Sequence, residues 1–214
     1  MKAILFGSLS VLVDTSELQR TAFNTAFREA GLDWDWTPDL YRDLLTASGG
    51  RDRIADYAEG RGDTVDVAAL HARKSEIFQD ALRSSDIGLR PVTLEMMDFA
   101  DETGIKTAFV STTSRENLDA VMQGFGGQDA LKLALVTDAD TVSAGKPDPA
   151  IYLHALDALG LEAADVIAVE DNVPGMQAAQ AAGITCVVYP NQNTVGHDFG
   201  GAPRAEDWQA VSAA

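Results

Sequence analysis

Short apolar runs separated by helix-like stretches recur along this 214-residue chain, and no other feature restricts its fold as much. The first run is "KAILF" (2–6). "KTAFVS" (106–111), "LALVTD" (133–138), "DVIAVE" (165–170) and "TCVVYP" (185–190) follow much later. Each is continuous rather than alternating, as a strand must be when helices cover both faces of its sheet. The stretches between them carry helix punctuation. Ser114 stands as an N-cap before "RENLDAVMQGF", Pro149 opens "AIYLHALDALG", and Pro174 opens "GMQAAQAAG", which stops at Gly183. This alternation predicts a parallel α/β sheet joined by right-handed crossovers.

The stretch from Thr15 to Leu89 breaks the rhythm. Apolar residues recur there at helical spacing, as in Leu40, Leu44 and Leu45, or Leu70, Ile77, Phe78 and Leu82. The pattern predicts a helical cap (15–89) inserted after the first strand of a core formed by residues 1–14 and 90–214.

Charge narrows the partners. Sixteen basic against 33 acidic side chains give a net −17, which repels nucleic acid over a broad surface but leaves room for a locally basic pocket. The single cysteine, Cys186, lies in an apolar run, so a buried thiol and a reducing cytoplasm are expected. Ala3 to Val13 superficially suggests a signal peptide, but Asp14 follows without a small-x-small cleavage pattern. No run reaches the roughly 18 apolar residues of a membrane span.

Ligands of open α/β sheets bind beyond the carboxyl ends of the strands. After "KTAFV" come Ser111, Thr112 and Thr113, hydroxyls at a helix start that suit phosphate or simply cap the helix. Lys146, held between Gly145 and Pro147 in "AGKPDP", suits phosphate as a point charge or is merely solvated. Glu170, Asp171 and Asn172 end the fourth run. Two carboxylates there suit Mg²⁺, while Asn172 can also cap the next helix.

Hydroxyls, then Lys-Pro-Asp-Pro, then Glu-Asp-Asn, each after a strand and in that order, resemble the motifs of the haloacid-dehalogenase superfamily. "GGRDRI" (49–54), "LHARKSEIF" (70–78) and "NTVGHDFGGA" resemble its CbbY-type sugar-phosphate phosphatases, neighbours of β-phosphoglucomutase. The resemblance implies a Rossmann-like core with a cap, Mg²⁺-dependent phosphoryl chemistry and a phosphorylated sugar as ligand. It assigns Ser111, Thr112 and Lys146 to phosphate, and Glu170 and Asp171 to the metal. Glu17, Arg20, Gly50, Arg51 and Lys74 are assigned to the substrate. Gln19 departs from the histidine of many relatives, and Arg51 often corresponds to lysine.

The first motif departs further. Relatives read roughly "FDLDGVL" where this chain reads "FGSLSVL". Gly7 stands where the resemblance places the nucleophilic, metal-binding Asp, and Leu9 where it places the acid/base Asp. General acid–base assistance is typically worth about 10²–10⁴ in rate, and losing the covalent route costs more. In an extended segment Ser8 would face away from Gly7 and Leu9, and no general base for it is evident. The expectation is therefore an impaired phosphatase relative with Mg²⁺ binding weak or lost, still gripping a phosphorylated sugar or similar anion. Two rivals stand beside it: an active hydrolase using a non-standard nucleophile or water, and an interaction protein with a relic pocket.

Overall fold

A computed structural model describes residues 1–47 and 49–212. Among them, five parallel strands form one sheet. They are β1 (Ala3–Phe6), β2 (Lys106–Phe109), β3 (Leu135–Val136), β4 (Val166–Glu170) and β5 (Thr185–Val188), ordered β3-β2-β1-β4-β5. All four residues of β1 are fully buried, and side-chain alternation explains why the run is apolar throughout. Ile4 and Phe6 pack with α6 (Pro91–Thr103), α7 (Arg115–Gln123) and Trp208 on one face. Ala3 and Leu5 pack with α8 (Ala150–Leu159) and α9 (Val173–Ala181) on the other. Cys186 is buried in the second cluster, where burial pushes its thiol pKa up.

Register places the site. Phe6 lies opposite Phe109 of β2 and Val169 of β4, so the next residues of three strands emerge side by side. The Gly7 amide donates to Val169 O at 2.9 Å, and the Val110 amide to Phe6 O at 2.8 Å. β3 is shorter than the six-residue run that suggested it. Only Leu135 and Val136 pair, both half-buried, because an edge strand has a single neighbour.

Between β1 and α6 run α1 (Leu9–Leu12), α2 (Ser16–Glu29), α3 (Pro38–Leu44), α4 (Gly50–Arg61) and α5 (Val67–Ser84). The inserted helices hold an apolar cluster of their own around Phe23, Phe27, Trp34, Trp36 and Tyr41. Phe23 and Phe27 lie 4.6 and 4.8 Å from the Trp36 ring, within the range of favourable aromatic packing. α5 faces both ways: Leu70 joins this cluster, whereas Phe78 and Leu82 join the sheet's core. Among the described residues, no helix is long and apolar enough to cross a membrane.

Candidate anion site at the strand ends

A cleft of about 370 Å³ opens at the carboxyl ends of β1 and β2. Gly7, Ser8, Leu9, Ser111, Thr112 and Lys146 line its sheet side; Gly50, Arg51 and His71 line the opposite wall. Two roomier hollows, about 420 and 470 Å³, are lined by none of these residues.

Lys146 organises the floor. Its ammonium donates to Gly7 O at 2.6 Å, Val110 O at 2.9 Å and Glu170 Oε1 at 2.6 Å. These three acceptors match its three protons, so the lysine expected to hold phosphate is already fully engaged. Glu170 is completely buried and also accepts the Tyr152 hydroxyl at 2.6 Å. Its Oε2 finds no partner among the described residues. Burial raises the Glu170 pKa against the opposing pull of Lys146; burial and the facing carboxylate push Tyr152 well above its ordinary value.

Glycines make this arrangement possible. A Cβ on Gly7 would overlap the Glu170 carboxylate and the Tyr152 hydroxyl, and a Cβ on Gly175 would overlap the same carboxylate. The volume in which a side chain at position 7 would begin is filled by Glu170.

Ser8 departs from expectation. The chain leaves its extended path directly after Ser8, which caps α1: its Oγ accepts from the Val11 amide at 3.2 Å. The hydroxyl donates to Asp171 Oδ1 at 2.7 Å, so Ser8 turns toward β4's end and has a carboxylate within reach. Leu9, buried, starts the short helix. Asp171 is heavily solvated by side chains. Asn172 Nδ2 donates to its Oδ1 at 2.7 Å and Asn191 Nδ2 to its Oδ2 at 2.8 Å. Glu170 and Asp171, assigned together to a metal, thus point to separate partners. Among the described residues, no three His, Cys, Asp or Glu side chains converge as a metal site.

The second strand end matches its sequence reading more closely. Ser114 caps α7, accepting from the Asn117 amide at 3.4 Å. Ser111 is buried with its backbone tied to Thr137, and its Oγ accepts from the Thr113 amide at 3.2 Å. Thr112 is half-buried beside it.

Of the five residues assigned to the substrate, Gly50 and Arg51 line the cleft, but Glu17 and Arg20 do not. Those two form a bidentate pair, with Arg20 Nε and Nη2 at 2.9 and 2.8 Å from Glu17 Oε2; Asn193 also donates to Glu17 at 2.8 Å. Arg20 holds the Glu17 carboxyl below its usual pKa. Lys74 is only 3% exposed. Its ammonium sits over the Phe23 and Phe78 rings, 4.6 and 4.9 Å from their centroids, and donates to Gln19 Oε1 at 2.8 Å. Burial, then Arg53, lowers its pKa to about 7.

Sequence reasoning passed over His71, Tyr152 and Asn191. His71 precedes Lys74 by three residues, a helical spacing that could have linked them. Burial, Lys74 and Arg51 together pull the His71 pKa down. Nothing in the sequence marked Tyr152 or Asn191.

A parallel sheet with a helical insert after its first strand, and hydroxyl, lysine and carboxylate groups following successive strands, defines a hydrolase-type phosphate fold. The model of haloacid dehalogenase-like hydrolases matches residues 1–183, and the chain belongs to that family. Within it, the chain is similar to protein CbbY of Rhodobacter capsulatus, 36% identical over 98% of this chain and 92% of the relative. It is also 38% identical to the plasmid CbbY of Cupriavidus necator, over 94% of this chain and 83% of that one. A mutant CbbY from Rhodobacter sphaeroides, crystallised with xylulose-(1,5)bisphosphate, superposes with a TM-score of 0.86 at 36% identity, covering 95% of this chain and 92% of that one.

Proposed function

We propose that this protein is a catalytically impaired CbbY-like relative that binds a phosphorylated sugar or a similar anion in the cleft, in the cytoplasm. In this reading a core of residues 1–14 and 90–214 supplies the floor and a cap of residues 15–89 the lid. One observation supports it above the others. In a chain of net charge −17, Arg51 and His71 share one wall of the cleft, and burial, then Lys74 and Arg51, lower the His71 pKa. Arg51 has no ion pair among the described residues. A cleft-lining cation left without a carboxylate suits an anion. The floor opposite has no carboxylate at positions 7 and 9 to repel it, and none to attack phosphorus.

The test is a thermal-shift titration with inorganic phosphate and with xylulose-(1,5)bisphosphate, the ligand of the similar CbbY, alongside phosphate release with Mg²⁺. Ligand at 100 times Kd should stabilise by about 2.7 kcal/mol, or roughly 5–11 °C for a chain of this length, without turnover. Arg51→Ala and His71→Ala should each shrink the shift. No shift with either compound would overturn the reading.

A second reading, hydrolysis from Ser8, is favoured by its 2.7 Å bond to Asp171, since a carboxylate can take a hydroxyl proton during phosphoryl transfer. Phosphate release abolished by Ser8→Ala would replace the first reading with this one.

A further inference from the structure

The floor of the cleft has the wrong composition for a cation but is complete as an ion pair. A divalent metal needs several oxygen ligands free to face it. Here position 7 has no side chain, position 9 is leucine, Asp171 already accepts from Ser8, Asn172 and Asn191, and Glu170 is sealed beneath the surface. A buried ammonium, for its part, needs a nearby counter-charge. Lys146 is 7% exposed, and among the described residues the one carboxylate bonded to it is Glu170, 2.6 Å away.

We infer that Glu170 has taken over the place and the charge that position 7 lacks: it is the fixed counter-ion of Lys146, not a metal ligand, and the cleft floor is independent of metal. Three features meet at that carboxylate. It occupies the space of a Gly7 side chain, Tyr152 and Lys146 both donate to its Oε1, and Gly175 leaves room for Oε2. Oε2 is the atom a metal-binding role would turn outward. Here it is enclosed, unpaired among the described residues, against the Gly175 backbone. Gly7, Gly175 and Glu170 therefore act as one unit. An aspartate restored at position 7 would bring a second carboxylate into a volume already filled, beside a lysine whose protons are all committed.

This inference concerns the floor alone and needs no ligand, so it stands or falls separately from the proposed sugar-phosphate binding. The experiment compares melting of the wild type, Gly7→Asp, Glu170→Ala and the double variant Gly7→Asp/Glu170→Ala in metal-free buffer. Each single change should melt well below the wild type. The double variant should melt above both, because Asp at position 7 then fills the vacated space and pairs with Lys146. Such a reversal is a coupling that independent sites do not show. A Gly7→Asp chain that melts like the wild type, or a double variant no better than the sum of its parts, would overturn the inference. An insoluble Gly7→Asp chain with a soluble double variant counts as the expected rescue. If both are insoluble, the wild type decides. Saturating Mg²⁺ should leave its melting temperature unchanged, and a magnesium-dependent rise abolished by Glu170→Gln would overturn the inference.

Discussion

Lys74 shows how burial converts one side chain from a ligand-binding cation into a titrating core group. The resemblance of "LHARKSEIF" to cap sequences of the family implied a basic residue turned to the ligand, but the structure encloses it between two phenylalanine rings. The folded pKa of about 7 lies below the ordinary lysine value of 10.5, with burial the main cause. Between those values the unfolded chain binds more protons than the folded one. The burial penalty is therefore complete below pH 7 and fades as pH rises toward 10.5, at up to about 1.4 kcal/mol per pH unit. Lys74→Met should stabilise the protein at pH 7 and lose most of that slope. Urea unfolding at pH 7 and 9 should show the wild type gaining roughly 2 kcal/mol more than the variant. Parallel pH profiles for the two would contradict the assignment.

Among the elements, α9 depends on the residue that sequence reading divided between metal loop and cap. Asn172 Oδ1 accepts from the Gly175 amide at 2.9 Å while its Nδ2 donates to Asp171, so one side chain serves both the helix and the carboxylate. Asn172→Ala should cost about 1–2 kcal/mol by denaturant unfolding, with Asn172→Asp recovering the cap but placing a like charge against Asp171. If alanine proves neutral, the α9 cap is not what orders that loop. The same scale separates legible elements from obscure ones. The helix starts at Ser114 and after Pro149 stand where their punctuation put them. α1 was missed, since four residues carry too little periodicity to register, and its cap at Ser8 is what turns that hydroxyl toward Asp171.

Across the whole molecule, Arg90 joins parts that sequence keeps far apart. Its guanidinium donates to Ser10 O at 2.9 Å and to Tyr189 O and Pro190 O at 2.8 Å each, and it lies 3.4 Å from the Tyr189 ring centroid. The chain returning from the inserted helices is thereby pinned to the loop after β5. Arg90→Ala should cost about 3 kcal/mol, seen as a fall of roughly 10 °C in Tm. Arg90→Lys should recover less than half, because an ammonium cannot bridge carbonyls on two segments in the plane of a fork. A lysine variant as stable as the wild type would show that charge alone suffices. The five apolar runs, the helical insert and the missing carboxylates at positions 7 and 9 were all readable from sequence, because strand burial, helix periodicity and residue identity are local properties. The partner of Lys146, the occupant of the space above Gly7 and the direction of Ser8 were decided by tertiary structure. They depend on Lys146, Tyr152, Glu170 and Asp171 meeting Gly7 and Ser8 from more than a hundred residues along the chain, and on which buried charge finds which neighbour once water is excluded.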